Sequence, residues 1–224
     1  LDAFFGHYRT STVAAKARGA VHEEIEQLLQ RSAQSATQFV DDVIQSANHY
    51  ARILDEEFAD PTTLRALRAL HRVEYDDWIP ALIAYLKKPT KELSESEFVS
   101  LLERVTMQNW VRRLGRTARL TAYHQLINAI RDGRDANAIR AIFQGAANNT
   151  EFMDLLRGEV YGKPFDLAVL LRLEEATQDS SVTKSYDTKI TIEHVLPQAL
   201  KEKYWQDRFD EASHRHYLHR IGNL

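Results

Sequence analysis

Residues 39–54 read FVDDVIQSANHYARIL. Phe39, Val43, Ile44, Ala47, Tyr50, Ala51 and Leu54 recur at i, i+3/i+4 and i+7, the spacing of one helical face. The same spacing extends outward. Upstream, Val21, Ile25, Leu28 and Leu29 form a second stripe. Downstream the punctuation is helical. Asp60-Pro61 is an N-cap followed by proline at the first helical position. Ser94-Glu95-Ser96-Glu97 has the form of a capping box. Thr150 is the candidate N-cap before Phe152 and Met153. Pro80, within Trp78 to Leu86, starts or kinks its helix. Lys163-Pro164-Phe165 restarts an apolar helix from Leu167 to Leu173. The expected fold is mainly α, with about eight to ten helices.

Composition sets the class. The chain has 224 residues, 44% of them hydrophobic, 27% charged and 8 of them glycine, which suits a packed domain rather than a disordered segment. A net charge of −3 gives no global sign of nucleic-acid or membrane binding, although a local basic face is compatible with it. The absence of cysteine excludes disulfides and thiolate metal sites and fits a reducing cytoplasm, the expected location. No apolar run is long enough to cross a bilayer. Both ends, Leu1 and Gly222-Asn223-Leu224, read as cut from a longer protein.

The helical pattern stops near residue 178. Gln178 to Lys189 is rich in Ser, Thr and Asp and reads as a linker. Ile190-Thr191-Ile192 is a β-branched run, and Ile190 to Glu193 reads as a short strand, ended by Pro197. A histidine-dense run, His214 to Arg220, follows Trp205 and Phe209. These shifts place a helical domain over residues 1–185 and a second domain over 186–224.

Glu193-His194 is the candidate site. A histidine of near-neutral pKa can take a proton from water, and a carboxylate beside it suits a hard divalent cation such as Mg²⁺. Adjacent strand residues point to opposite faces, so the pair can cooperate only where the strand ends. Such a pair supports phosphodiester hydrolysis, with the metal on the leaving oxygen and histidine activating water. The bland alternative is a surface Glu-His at a strand end.

The wider pattern carries a resemblance. Glu193-His194-Val195-Leu196-Pro197-Gln198, then Trp205, then Leu218-His219-Arg220-Ile221-Gly222-Asn223-Leu224, resembles the HNH (His-Me finger) nuclease domain of the GmrSD-like restriction endonucleases. Phe4-Phe5-Gly6-His7-Tyr8, Phe39 to Leu54, Trp110-Val111-Arg112-Arg113-Leu114 and Leu170-Leu171-Arg172-Leu173-Glu174 resemble that family's helical landmarks. The resemblance implies the first part of a ββα-metal nuclease domain after a helical spacer. It implies His194 as general base, Glu193 as metal ligand and Asn223 as the residue holding the catalytic loop. Pro197 and Gln198 would shape that loop, and Trp205 would pack under it. The cofactor implied is Mg²⁺ or Mn²⁺, and the substrate is modified or foreign DNA cut in bacterial defence. The family continues past Gly-Asn-Leu into a strand and a helix bearing Asn or His. On this reading the piece is catalytically incomplete. A nucleotidase-like N-terminal domain of the same protein is the implied partner.

Other constellations have plainer readings. His214-x-His216-x-x-His219 matches no strong zinc spacing and reads as a solvated helix, with a DNA-phosphate contact from His216 or His219 as the weaker alternative. Arg104, Arg112, Arg113, Arg116, Arg119, Arg131, Arg134 and Arg140 make 104–140 the most basic stretch. Arg112, Arg113, Arg116 and Arg119 are its candidate phosphate contacts, against the alternative of ordinary helix faces. Asp76-Asp77 reads as helix-start chemistry. Tyr50, Tyr75, Trp78, Tyr85, Trp110 and Tyr123 read as core. The competing functions are a helical interaction module and a DNA-binding module without catalysis.

Overall fold

The computed structural model describes residues 1–177 and 189–224. The expected linker and the boundary at 185 fall on residues outside that description. Contacts divide the chain upstream of 185, into Leu1–Asn109 with Arg113–Ala147, and Trp110–Arg112 with Asn148–Leu224. Both units are helical, and the described residues hold no strand.

The first unit contains α1 (Asp2–Val13), α2 (Val21–Arg31), α3 (Ala36–Leu54), α4 (Pro61–His71), α5 (Ile79–Lys87), most of α6 (Glu95–Val111), α7 (Arg116–Arg131) and α8 (Ala136–Ala146). The helix starts follow local chemistry. Ser35 and Gln38 cap α3 reciprocally, Ser35 Oγ accepting from Gln38 N–H at 3.2 Å and Gln38 Oε1 accepting from Ser35 N–H at 2.9 Å. Asp60 accepts from Thr63 N–H at 2.7 Å, with Pro61 in the first turn of α4. Ser94 Oγ accepts from Glu97 N–H at 3.1 Å, but the box is only half made. The Glu97 carboxylate turns instead to Arg140, at 2.6 Å.

Helix α5 is the axis of this unit. Pro80 starts it rather than kinking it, because its missing N–H falls in the first turn. Every residue from Ile79 to Leu86 is buried, and α5 packs against α1, α3 and α7. A helix apolar on all sides must be covered on all sides. Tyr85 stacks on Phe98 with centroids 4.0 Å apart, and Phe98 meets Phe143 edge-on at 5.4 Å. Trp78, Tyr85 and Tyr123 are fully buried and Trp110 is buried, as their spacing suggested.

The α3 stripe is only partly inward. Phe39 is buried, and Val43, Ala47 and Tyr50 pack on the Phe4–Tyr8–Phe39 cluster. Ile44 and Leu54 are exposed, and Ile53 is buried in their place. Asp76 and Asp77 serve neighbouring elements rather than the α5 N-terminus. Asp76 meets His7 at 3.2 Å, and Asp77 holds Arg119 at 2.6 Å.

The second unit contains α9 (Asn149–Leu156), α10 (Asp166–Thr177), α11 (Lys203–Gln206), α12 (Glu211–Tyr217) and a 3₁₀ turn at Ile221–Asn223. Asn148, not Thr150, caps α9, accepting from Glu151 N–H at 3.1 Å. Thr150 therefore lies inside the helix. Trp110 sits edge-on to Phe165 at 6.3 Å. Ile190–Glu193 does not form the expected strand. Its β-branched residues favour extended backbone, but a strand exists only in a ladder, and no described segment pairs with it. The one bridge among the described residues is antiparallel and joins Glu159 to Arg220.

Candidate active site

The site is built on a loop, residues 194–198, held from beneath by Asn223. Asn223 is 7% exposed and its amide is fully engaged. Its Oδ1 accepts from Leu196 N–H at 2.6 Å. Its Nδ2 donates to the carbonyls of Leu196 at 3.2 Å and Leu218 at 2.8 Å. Its own carbonyl accepts from Val195 N–H at 3.0 Å. A side-chain amide thus does for the loop what a neighbouring strand would do, and the 3₁₀ turn fixes where that amide points. His214 Nε2 lies 2.8 Å from the Pro197 carbonyl and ties down the far side.

His194 stands at the head of this loop. Gln198 Nε2 lies 3.4 Å from His194 Nδ1, a weak contact. The Tyr161 ring meets His194 edge-on with centroids 4.4 Å apart. His219 lies 5.6 Å from His194 and parallel to Tyr161 at 5.3 Å. Burial pushes the His194 imidazolium below its ordinary 6.5, and His219 adds to that effect while Glu193 opposes it. That shift favours the neutral imidazole over the charged one. Glu193 is exposed, and its only described contact is Thr191 Oγ1 at 3.5 Å.

On the other side of the loop, Val195, Leu196, Trp205, Phe209, Tyr217 and Asn223 line an apolar cavity of about 470 Å³. Trp205 lines the same cavity as Leu196.

The structure thus brings Glu193, His194, Pro197, Gln198 and Asn223 into one loop and its support. The four arginines do not form a comparable cluster. Arg112 bonds Glu151 at 2.6 Å within the second unit. Arg119 is committed to Asp77, to the Leu114 carbonyl at 2.9 Å and to the face of Tyr75 at 3.7 Å. Arg116 is 72% exposed with a 3.5 Å contact to Asp77, and Arg113 is exposed. The three histidines of the zinc-like run diverge, to Pro197, Arg220 and Tyr161. No group of three His, Asp or Glu among the described residues can hold a metal.

Tyr161 and His219 were not legible as members of the site. The only signal for Tyr161 is local. It sits between Gly158 and Gly162 in the one non-helical break between α9 and α10. What brings it to His194 is distant in sequence, since Val160 N–H and Tyr161 N–H both donate to the His219 carbonyl, at 2.8 and 3.1 Å.

No curated protein and no solved structure matches this chain. No helix among the described residues is long and apolar enough to cross a membrane. Residues 147–224, the stretch that contains the whole His194 site, match the family described as GmrSD restriction endonucleases, C-terminal domain.

Proposed function

We propose that the second unit is the nuclease part of a divalent-metal-dependent HNH DNA endonuclease of bacterial defence, with His194 as general base. The observation that carries this reading is the setting of His194: a half-buried imidazole at the head of a loop pinned by a buried asparagine, with burial lowering its pKa. In this reading Gln198 N–H donates toward Nδ1, which makes Nδ1 the acceptor and leaves the proton on Nε2. A contact of 3.4 Å is weak enough for water to replace it. Nδ1 then takes a proton from that water, the hydroxide oxygen bonds to phosphorus, and the bond from phosphorus to the leaving sugar oxygen breaks. Solvent returns a proton to the leaving oxygen.

The described residues offer no three-ligand cluster, so an ion here would rely on its own waters and on the substrate phosphate. Glu193 offers a single exposed carboxylate, and Mg²⁺ is commonly held by one or two carboxylates, its own waters and substrate phosphates. Bound there, the ion would supply charge stabilisation at the leaving oxygen. Arg113 and Arg116 are the arginines whose exposure suits phosphate contact. Modified or foreign DNA as the substrate, and a nucleotidase-like domain acting with this unit, complete the proposal on the motif resemblance alone.

The test is plasmid cleavage with Mg²⁺ or Mn²⁺ by the full-length protein, comparing wild type, His194→Ala and Glu193→Gln. Cutting by wild type that His194→Ala abolishes supports the reading. Salt-sensitive DNA binding with no cutting, unchanged by His194→Ala, identifies a binding module instead.

A further inference from the structure

Histidines that act as bases are usually oriented by a hydrogen bond from their second ring nitrogen to a carboxylate or carbonyl. His194 lacks that device. Its Nε2 is buried with no hydrogen-bond partner among the described residues, and so is Nδ1 of His219. The one polar contact to the ring, from Gln198, is long. What limits rotation of the His194 ring is therefore packing, and the packing surface is aromatic. Tyr161 presents its ring to the His194 edge at 73°, and His219 lies nearly parallel to Tyr161 at 13°.

Tyr161 is itself anchored. Val160 before it is fully buried, and the N–H groups of both residues grip the His219 carbonyl. Gly162 after it turns at φ +77°, a conformation that glycine adopts without strain, and donates to Asp166 Oδ2 at 2.8 Å. One peptide carbonyl thus sets the distance between the Tyr161 and His219 rings, and those rings set the plane of His194.

We infer that Tyr161 and His219 are positioning residues that hold the His194 imidazole in its working orientation through ring contacts. The inference deepens the nuclease reading and rests on it for the catalytic consequence. The geometric part stands by itself. Misplacement of a reacting group by about 1 Å can cost about a hundredfold in rate, so loss of these contacts acts on kcat rather than on DNA affinity.

The experiment compares wild type with Tyr161→Phe, Tyr161→Leu and His219→Ala. One readout is the ¹⁵N chemical shifts of the His194 ring, which report its tautomer without any need for cleavage. The other is kcat and KM for plasmid cutting by the full-length protein with Mn²⁺. Wild type and Tyr161→Phe are expected to show one His194 tautomer, protonated on Nε2, and equal kcat. Tyr161→Leu and His219→Ala are expected to show mixed tautomers and a kcat lower by about ten- to a hundredfold, with KM within about twofold. Folded Tyr161→Leu and His219→Ala proteins with wild-type shifts overturn the inference. So does a large kcat loss in Tyr161→Phe, since that would put the hydroxyl into the chemistry. Should wild type never cut DNA while the tautomer shifts behave as expected, the nuclease reading fails and the positioning role stands.

Discussion

Asn223 holds Leu196 by both of its backbone groups, accepting from the N–H at 2.6 Å and donating to the carbonyl at 3.2 Å. The two residues are 27 apart in sequence and both are buried. Asn223→Ala leaves a buried N–H and two buried carbonyls without that partner, at a cost of about 2 to 3 kcal/mol to the second unit. Asn223→Asp keeps the acceptor but sets a carboxylate against the Leu196 and Leu218 carbonyls, so it should be no milder. Hydrogen exchange at the Leu196 amide is the direct measurement. Exchange as slow in Asn223→Ala as in wild type would mean that the loop is held by something else.

Burial lowers the His194 pKa, with His219 adding to the effect. The base works when neutral, so the acid limb of kcat/KM should lie below the ordinary 6.5. Activity should then persist from neutral pH down through 6.5 and fall only below it. A limb above 6.5 would show that Glu193 outweighs burial, the reverse of what the structure gives.

Arg119 and Arg116 should separate cleanly. Arg119 neutralises the buried Asp77 and stacks on Tyr75. Arg119→Ala should cost the first unit about 2 to 4 kcal/mol, because it strips a buried carboxylate of its main partner. Arg116→Ala should leave the melting temperature almost unchanged, since exposed ion pairs contribute little. If the basic stretch binds DNA, Arg116→Ala and Arg113→Ala should each flatten the dependence of affinity on salt. Equal melting temperatures for Arg119→Ala and Arg116→Ala would contradict the assignment.

Local signals were legible and distant ones were not. The caps at Ser35 and Asp60 depend on residues three apart, and sequence exposes such pairs directly. The stripe of residues 39–54 announced a helix, but Ile44 and Leu54 lie on its open face. Periodicity identifies a helix more surely than it identifies which edge of a wide apolar stripe is covered. The expected strand at Ile190–Glu193 failed because β propensity is local while pairing is not. Glu193-His194 stood out as an acid–histidine pair, but Gln198 and Asn223 were legible only through resemblance to a family motif. Tyr161 carried no such motif, and its place was set by a carbonyl 58 residues away.

The first unit should lose stability in mild acid. Burial lowers the pKa of both His49 and His124, with Arg52 and Lys87 adding to the effect on His49 and Arg9 on His124. The native state resists protons that the unfolded chain takes up near 6.5, so the unfolded state binds more of them as pH falls. Stability is therefore fully present above about 6.5 and declines as pH drops toward the lowered native values. Thermal unfolding followed between pH 8 and 5 checks the direction, and His49→Gln with His124→Gln should flatten the decline. A melting temperature that rises on acidification would oppose it.

Helix α6 ends on an arginine in a conformation suited to glycine. Arg113 has φ +55°, and the next N–H, that of Leu114, returns to the Asn109 carbonyl at 3.0 Å. That is the 6→1 bond of a Schellman cap, whose left-handed position disfavours any side chain with a Cβ. Arg113→Gly relieves the strain, and the greater freedom glycine gives the unfolded chain offsets part of the gain. The expected net effect is stabilisation by about 0.5 to 1 kcal/mol. Arg113→Ala retains the Cβ and should bring no such gain, which separates backbone relief from loss of charge. If the arginine also meets phosphate, Arg113→Gly should raise the melting temperature while weakening DNA binding at low salt, a divergence that a purely structural residue would not produce. A lower melting temperature for Arg113→Gly than for Arg113→Ala would show that the left-handed turn is not what limits this helix end.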